Sequence, residues 1–142
     1  MLRIGLLGAM FAAAAAPAGA LASGPAIVSA PTSAHVGSTV TVRAVGLTAG
    51  RYALTVVSDT HPRHNASCVA RLSTLVAEQG GSVTLHGSIP ARLYCYQGAS
   101  THLGRVATVA GSYHLIVAQP NGPDGFNGSA SFVRAPLRIT RY

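Results

Sequence analysis

Residues 40–57 read VTVRAVGLTAGRYALTVV, and this stretch decides the fold class. Apolar and polar residues alternate in both halves, on either side of a short turn that contains glycine. In the first half, Val40, Val42 and Ala44 share the apolar face. Strict alternation is typical of a β-strand with one buried face, whereas the apolar residues of a helix recur roughly every 3.6 residues. The stretch therefore predicts two strands joined by a turn.

The same alternation recurs along the chain, at residues 83–89, 113–117 and 137–139, with turn-forming residues between the segments. About seven or eight such strands predict an all-β, antiparallel β-sandwich, because a sheet with one apolar face must bury that face against another sheet. Pro136 predicts an edge position or a bulge in the last strand. Residues 73–78 have the character of a short helix.

One pattern, G-x-Y-x-L-x-V, occurs twice, at residues 50–56 and 111–117. Each copy follows a turn and places a tyrosine, Tyr52 or Tyr113, at the entrance of a strand. There the ring can fill the core while the hydroxyl reaches back to backbone groups of the turn. Immunoglobulin-type sandwiches use this arrangement, the tyrosine corner. We expect the two tyrosine strands to be antiparallel neighbours, so that the loops following them lie at opposite ends.

With these features the chain resembles the immunoglobulin-like modules of exported bacterial proteins. Residues 40–57 look like the first core hairpin of such a module, and residues 111–118 look like its tyrosine-corner strand. The resemblance covers most of residues 26–140, although the chain has no Trp. It implies an immunoglobulin-like architecture and a binding or spacing role, and it implies no catalytic residues.

The first 22 residues have the three parts of a secretory signal peptide. Arg3 supplies the positive start, residues 4–16 are apolar, and Ala20 and Ala22 fit the small-residue cleavage rule. We expect cleavage before Ser23. The remaining domain, residues 23–142, is then expected to be secreted or periplasmic and to have no transmembrane segment.

Cys68 and Cys95 are the only cysteines of the chain. Two cysteines of an exported domain usually pair, because the compartment is oxidising. The sequence therefore predicts a Cys68–Cys95 disulfide.

Catalytic signals are scarce in this sequence. It contains three carboxylates, Asp59, Glu78 and Asp124, whereas glycosidase-type chemistry needs two that converge. It contains no G-x-S-x-G nucleophile elbow, no P-loop and no dinucleotide fingerprint. We therefore expect a non-enzymatic domain without a cofactor, with a binding or structural role at the cell envelope or outside the cell.

A metal site is an alternative in the segment from His61 to Cys68. His61, His64 and Cys68 have the spacing H-x2-H-x3-C, which can place two imidazoles and a thiolate around one ion, and Asp59 could add an oxygen. The predicted disulfide would occupy Cys68, and Arg63 adds a positive charge between the two histidines. A solvated polar loop is the competing interpretation.

Two other segments are candidate ligand sites. Asp124, Phe126 and Asn127 lie in a loop at residues 119–128 that is rich in turn-forming residues, and such loops are common recognition surfaces. Tyr94 and Tyr96 flank Cys95 and share the face opposite to it, where they could form a stacking platform. The competing interpretation is that these aromatic rings cap or pack against the core.

All ten cationic residues are arginine, and the formal net charge is +7. Arginine prefers flat anions such as carboxylate and phosphate, so the domain could adhere to an anionic envelope polymer. The arginines are scattered without a run, which also fits the codon bias of a GC-rich genome. We expect no nucleic-acid binding, and the partner is an unknown protein or an envelope polymer.

Overall fold

The structure, a computed structural model, describes residues 24–60, 62–63, 66–98, 101–121, 125–126 and 132–141. These residues are all-β, as predicted, and no helix that could span a membrane occurs among them. The predicted signal peptide, residues 1–22, lies outside the described residues. The strands are β1 (Ala26–Ser29), β2 (Ser33–His35), β3 (Thr39–Val45), β4 (Arg51–Ser58), β5 (Ser67–Arg71), β6 (Val76–Ala77), β7 (Val83–Ser88), β8 (Arg92–Gln97), β9 (Thr101–Ala107), β10 (Gly111–Ala118), β11 (Pro120–Asn121), β12 (Gly125–Phe126) and β13 (Val133–Thr140).

Two sheets contain most of these strands. The smaller sheet has the order β1-β3-β7, and the larger has the order β2-β13-β10-β4-β5-β8-β9, with β6 paired to β4. Strands β11 and β12 form a separate hairpin. The pairing of β2 with β13 is parallel, and the other strand pairs of the two sheets are antiparallel. The larger sheet is therefore mixed at the β2 side.

The two sheets enclose one apolar core. From the smaller sheet, Val42 and Leu85 are fully buried, and from the larger sheet Leu54 and Leu115 are fully buried in the same cluster. In β3 buried and exposed residues alternate as predicted. The inner face of each sheet is therefore sealed against the other, which is the arrangement that period-two patterning requires.

Pro136 lies where β13 has one open side. Within the described residues, β2 pairs only with the last part of β13, from Arg138 to Thr140. Pro136 is paired with His114 of β10 on the other side. A proline is tolerated there because the missing N–H interrupts no second ladder, although β13 lies between β2 and β10 and is not itself an edge strand.

The predicted helix at residues 73–78 is wrong. Val76 pairs with Tyr52 in the short strand β6, and the N–H of Leu54 donates to the hydroxyl of Ser73 at 2.8 Å. The segment supplies hydrogen-bond partners to the first half of β4. Pairing with the distant strand β4 therefore determines the conformation of this segment, because its local preference for a helix is weak.

The tyrosine-corner prediction is confirmed at both sites. The Tyr52 hydroxyl donates to the carbonyl of Thr48 at 2.8 Å, and the Tyr113 hydroxyl donates to the carbonyl of Val109 at 2.7 Å. Strands β4 and β10 are antiparallel neighbours, with Tyr113 opposite Ser58. The loops that follow them therefore leave opposite ends of this strand pair, as expected.

The Cys68–Cys95 disulfide is also confirmed. The two residues are directly opposite each other on the adjacent strands β5 and β8, and both are fully buried. The bond therefore joins two strands of one sheet and forms part of the core. Its sequence separation of 27 residues makes it a constraint on the unfolded chain.

Replacing both cysteines, Cys68→Ser with Cys95→Ser, is expected to lower the free energy of unfolding by about 3–4 kcal/mol, the chain-entropy value for a loop of this length. Urea unfolding followed by circular dichroism measures the effect. Wild-type protein unfolded in a reducing agent is the matched control. A double variant as stable as the oxidised wild type would contradict this account.

The Tyr113 hydroxyl predicts a loss of stability at high pH. Burial raises the pKa of Tyr113 above its usual value of 10.0, against the opposing effects of the hydrogen bonds to Val109 and Ser58. The unfolded chain therefore loses this proton first, so the free energy of unfolding falls as the pH rises above 10. Urea unfolding at a series of pH values should show a smaller alkaline loss in Tyr113→Phe than in wild type. Equal losses would rule out this contribution.

Candidate functional site

The larger sheet has an outer face, which we define as the side of its strands that points away from the shared core. The strand registers give this face a continuous row of opposed residues that crosses six strands, from β13 to β9. The row consists of Pro136, His114, Val57, Val69, Tyr94 and Arg105. A second row, one pleat away, consists of Arg134, Ile116, Thr55 and Arg71.

The centre of the outer face is buried, which the alternation pattern did not predict. Thr55 is 2% exposed, Ile116 5% and Val69 7%, although all three point away from the core. Ala53, on the same side of β4 as Thr55, is also buried. Strands β4 and β10 lie in the middle of the larger sheet, and each is paired on both sides.

An aromatic and cationic cluster occupies the outer face at β8 and β9. The guanidinium carbon of Arg105 lies 4.7 Å from the centre of the Tyr94 ring, within the range of a cation–π contact. The rings of Tyr96 and His102 meet edge to face at 5.2 Å, and those of Tyr94 and His102 are 6.0 Å apart. Tyr94 and Tyr96 are half-buried opposite the buried Cys95, which confirms their predicted common face.

A bulge sets the spacing within this cluster. Tyr94 opposes Arg105, but Tyr96 opposes His102, because one extra residue of β9 is accommodated near Gly104. Gly104 has a φ of +102°, a conformation that L side chains rarely adopt. The guanidinium of Arg63, from the loop after β4, lies next to it and would be 3.6 Å from an added Cβ. This loop therefore reaches the outer face beside the cluster.

At the other side of the same row, His114 pairs with Asp59. The Nδ1–H of His114 donates to Oδ1 of Asp59 at 2.5 Å, and each side chain is about one third exposed. The backbone N–H of Asp59 also donates to the carbonyl of Ser112. These contacts attach the start of the loop after β4 to β10. Exposed pairs of this kind contribute little to stability, so the contact mainly fixes geometry.

Arginines that are scattered in the sequence gather on this face. Strand alternation directs six of them outward from the larger sheet: Arg51, Arg71, Arg92, Arg105, Arg134 and Arg138. These arginines form no run in the sequence, so their grouping was not predicted. Each arginine is an odd number of positions away from the buried core residues of its strand, and this spacing indicates that it points to the opposite side.

The two carboxylates among the described residues are each engaged by another group. Asp59 is engaged by His114, and the side chain of Glu78 accepts the N–H of Gly81 at the turn before β7. The third carboxylate, Asp124, lies outside the described residues. The outer face is therefore strongly cationic in the part of the chain that the structure describes.

The predicted metal site is incomplete without Cys68, which is held in the disulfide and offers no thiolate. His61 and His64 lie outside the described residues. No group of three or more potential metal ligands occurs in the described ranges. The remaining candidate loop is described only in part: Asp124 and Asn127 lie outside the described residues, and the backbone of Phe126 belongs to β12.

A cleft of about 310 Å³ lies at the end of the sandwich where Tyr113 enters its strand. The predicted platform residues Tyr94 and Tyr96 do not line it. The cleft is lined by Val36, Thr108, Val109, Ala110, Ile139, Thr140 and Arg141.

Comparison with known proteins supports the fold. No family model and no curated protein sequence matches the chain. Among solved structures, the chain is similar to macromomycin, with a TM-score of 0.58 and 20% sequence identity over 82% of this chain and 99% of that chain. At this identity the likeness shows a shared all-β fold and carries no residue roles.

Replacing Gly104 with alanine is expected to lower the free energy of unfolding by about 1–3 kcal/mol, because an L residue is strained at this positive φ. Gly24→Ala is the matched control, since an added Cβ there meets nothing within 4 Å. Urea unfolding of both variants measures the difference. If the two variants are equally stable, the bulge does not require a glycine.

Proposed function

We propose that this chain is an exported, non-enzymatic, immunoglobulin-like module that binds a partner through the outer face of its larger sheet. The observation that carries the proposal is the cluster of Tyr94, Tyr96, His102 and Arg105. Tyrosine and arginine are the residues most often responsible for affinity at binding surfaces. Here they stand on paired strands, which hold them in place before a partner arrives.

Export is supported by the oxidised cysteines and by the N-terminal sequence pattern. Disulfides persist in oxidising compartments outside the cytosol. The Cys68–Cys95 bond is buried in the core, where it contributes to folding. An immunoglobulin-like relationship is supported by the tyrosine corners at Tyr52 and Tyr113.

A binding role is favoured over catalysis by the use of the charged groups. Asp59 and Glu78 make structural contacts with His114 and the Gly81 N–H. The arginines of the outer face are suited to hold an anion.

A small-ligand carrier is a second candidate, favoured by the 310 Å³ cleft, which is at the lower end of the size range of ligand sites. Native mass spectrometry of protein purified from its own host would reveal a bound small molecule. Loss of that added mass in Ala110→Trp, which fills the cleft, would favour this candidate. Retention of the mass would place the molecule elsewhere.

The proposal is tested by co-sedimentation of the full chain, produced by export, with an envelope fraction from its source organism. We expect Tyr94→Ala combined with Arg105→Gln to weaken binding about tenfold, because an aromatic and a charge-assisted contact are lost together. Arg43→Gln is the matched control, because it removes the same charge from the exposed side of the smaller sheet.

Peptide mapping of the exported protein tests the other part of the proposal. An N-terminus at Ser23 and an intact disulfide are expected. An unprocessed chain would contradict export. Equal binding of wild type and the double variant would contradict the assignment of the outer face.

A further inference from the structure

We infer that the cleft beside the Tyr113 corner binds a small aliphatic monocarboxylate, a molecule with an apolar body and one negatively charged end. This inference rests on the second candidate of the proposed function, the small-ligand carrier, and names the chemistry of the ligand. It depends on three features of the cleft: its exposed apolar side chains, the internal use of its polar groups, and its single cation.

The apolar part of the lining is in contact with water. Val36 is 38% exposed and Val109 is 56% exposed. They are two of the five large hydrophobic residues that are exposed in the described part of the chain, and Val109 is the most exposed of the five. Both line this one cleft, together with Ala110 and the buried Ile139. An apolar ligand that displaces water from these side chains would therefore be stabilised by their burial.

Several hydrogen-bond donors of the lining are already used within the protein. The hydroxyl of Thr108 donates to the carbonyl of Pro90 at 2.7 Å, and its backbone N–H donates to the carbonyl of Ala91 at 2.9 Å. The backbone N–H of Val109 donates to the hydroxyl of Tyr113 at 3.2 Å. A sugar or another polyol that lost water here would find few donors to replace it, which is costly for each unsatisfied hydroxyl. The lining therefore favours a ligand body without polar groups.

Arg141 is the one charged side chain among the described residues of the lining, and it is exposed. The two described carboxylates are engaged elsewhere, Asp59 by His114 and Glu78 by the N–H of Gly81. A guanidinium binds a carboxylate through two parallel hydrogen bonds and repels a cationic ligand. One cation matches one carboxylate, so the ligand is a monoanion.

The lining also limits the size and shape of the ligand. Its volume of about 310 Å³ is at the lower end of the range of ligand sites. No aromatic ring occurs among the described lining residues, so a flat ring system would find no stacking partner there. An aliphatic chain needs only van der Waals contact with the valines and Ile139. A medium-chain fatty acid combines this body with the required carboxylate.

Octanoate is the probe. Octylammonium and 1-octanol are the matched control ligands, because they keep the tail and reverse or remove the charge. Titration of the isotope-labelled, full, exported chain, followed by amide chemical shifts, measures affinity and location together. We expect octanoate to shift the amides of residues 36, 108–110 and 139–141 and to bind about tenfold more tightly than octylammonium. Hexanoate should bind more weakly than octanoate, by up to about fourfold for each methylene removed.

Variants of the lining separate charge from apolar contact. Arg141→Gln should weaken octanoate about fivefold, the upper value for an exposed ion pair, and leave 1-octanol unchanged. Arg43→Gln is its matched control. Val109→Ser should weaken both ligands about threefold or more, because apolar contact is lost. Val28→Ser is the matched control, since Val28 is also exposed but does not line the cleft. Circular dichroism establishes that each variant is folded.

Several outcomes would overturn the inference. Octylammonium binding as tight as that of octanoate, or an equal loss in Arg43→Gln and Arg141→Gln, would refute the role of the cation. Absence of binding, or shifts confined to other residues, would refute the site. A neutral molecule that is bound to protein from its own host and lost in Ala110→Trp would keep the carrier candidate and exclude only the carboxylate. The co-sedimentation experiment tests the outer face separately, so its result stands in every case.

Discussion

The pairing of β4 with β10 is the contact on which the rest of the structure depends. These strands occupy the middle of the larger sheet, and each has a tyrosine near its start whose hydroxyl is hydrogen-bonded to the turn before it. The two turns are thereby fixed at opposite ends of one strand pair. The inner side of the pair closes the core against the smaller sheet, and the outer side supports the candidate binding face. A one-residue shift of either strand in this pairing would move the outward residues of that strand to the inside.

The sequence predicted the parts of the fold that local pattern controls. Alternation in residues 40–57 identified the buried side of β3, and the repeated G-x-Y-x-L-x-V pattern identified both tyrosine corners. The disulfide followed from cysteine count and the expected compartment. The strand and the tyrosine corners were predictable because a few neighbouring residues determine them. The disulfide was predictable because the chain has two cysteines and therefore one possible pairing.

Other parts were decided by contacts between distant segments. The outward side of β4 is buried, and β4 is central in its sheet. The sequence of residues 51–58 alone does not indicate that central position. The segment around Val76 forms a short strand because β4 needs a partner there. The predicted metal and loop sites stay predictions, since His61, His64, Asp124 and Asn127 lie outside the described residues. The tyrosine platform was predicted, but its arginine partner comes from the neighbouring strand β9.

In the part of the chain that the structure describes, more strand arginines point outward from the larger sheet than from the smaller one, so these residues form an electric dipole directed across the two sheets. Near a negatively charged surface a dipole experiences a torque as well as an attraction, so the domain turns while it is still separated from the surface by solvent. It would arrive with the larger sheet leading and the smaller sheet facing away. Approach and orientation are thus coupled, and few encounters are lost to a wrong orientation.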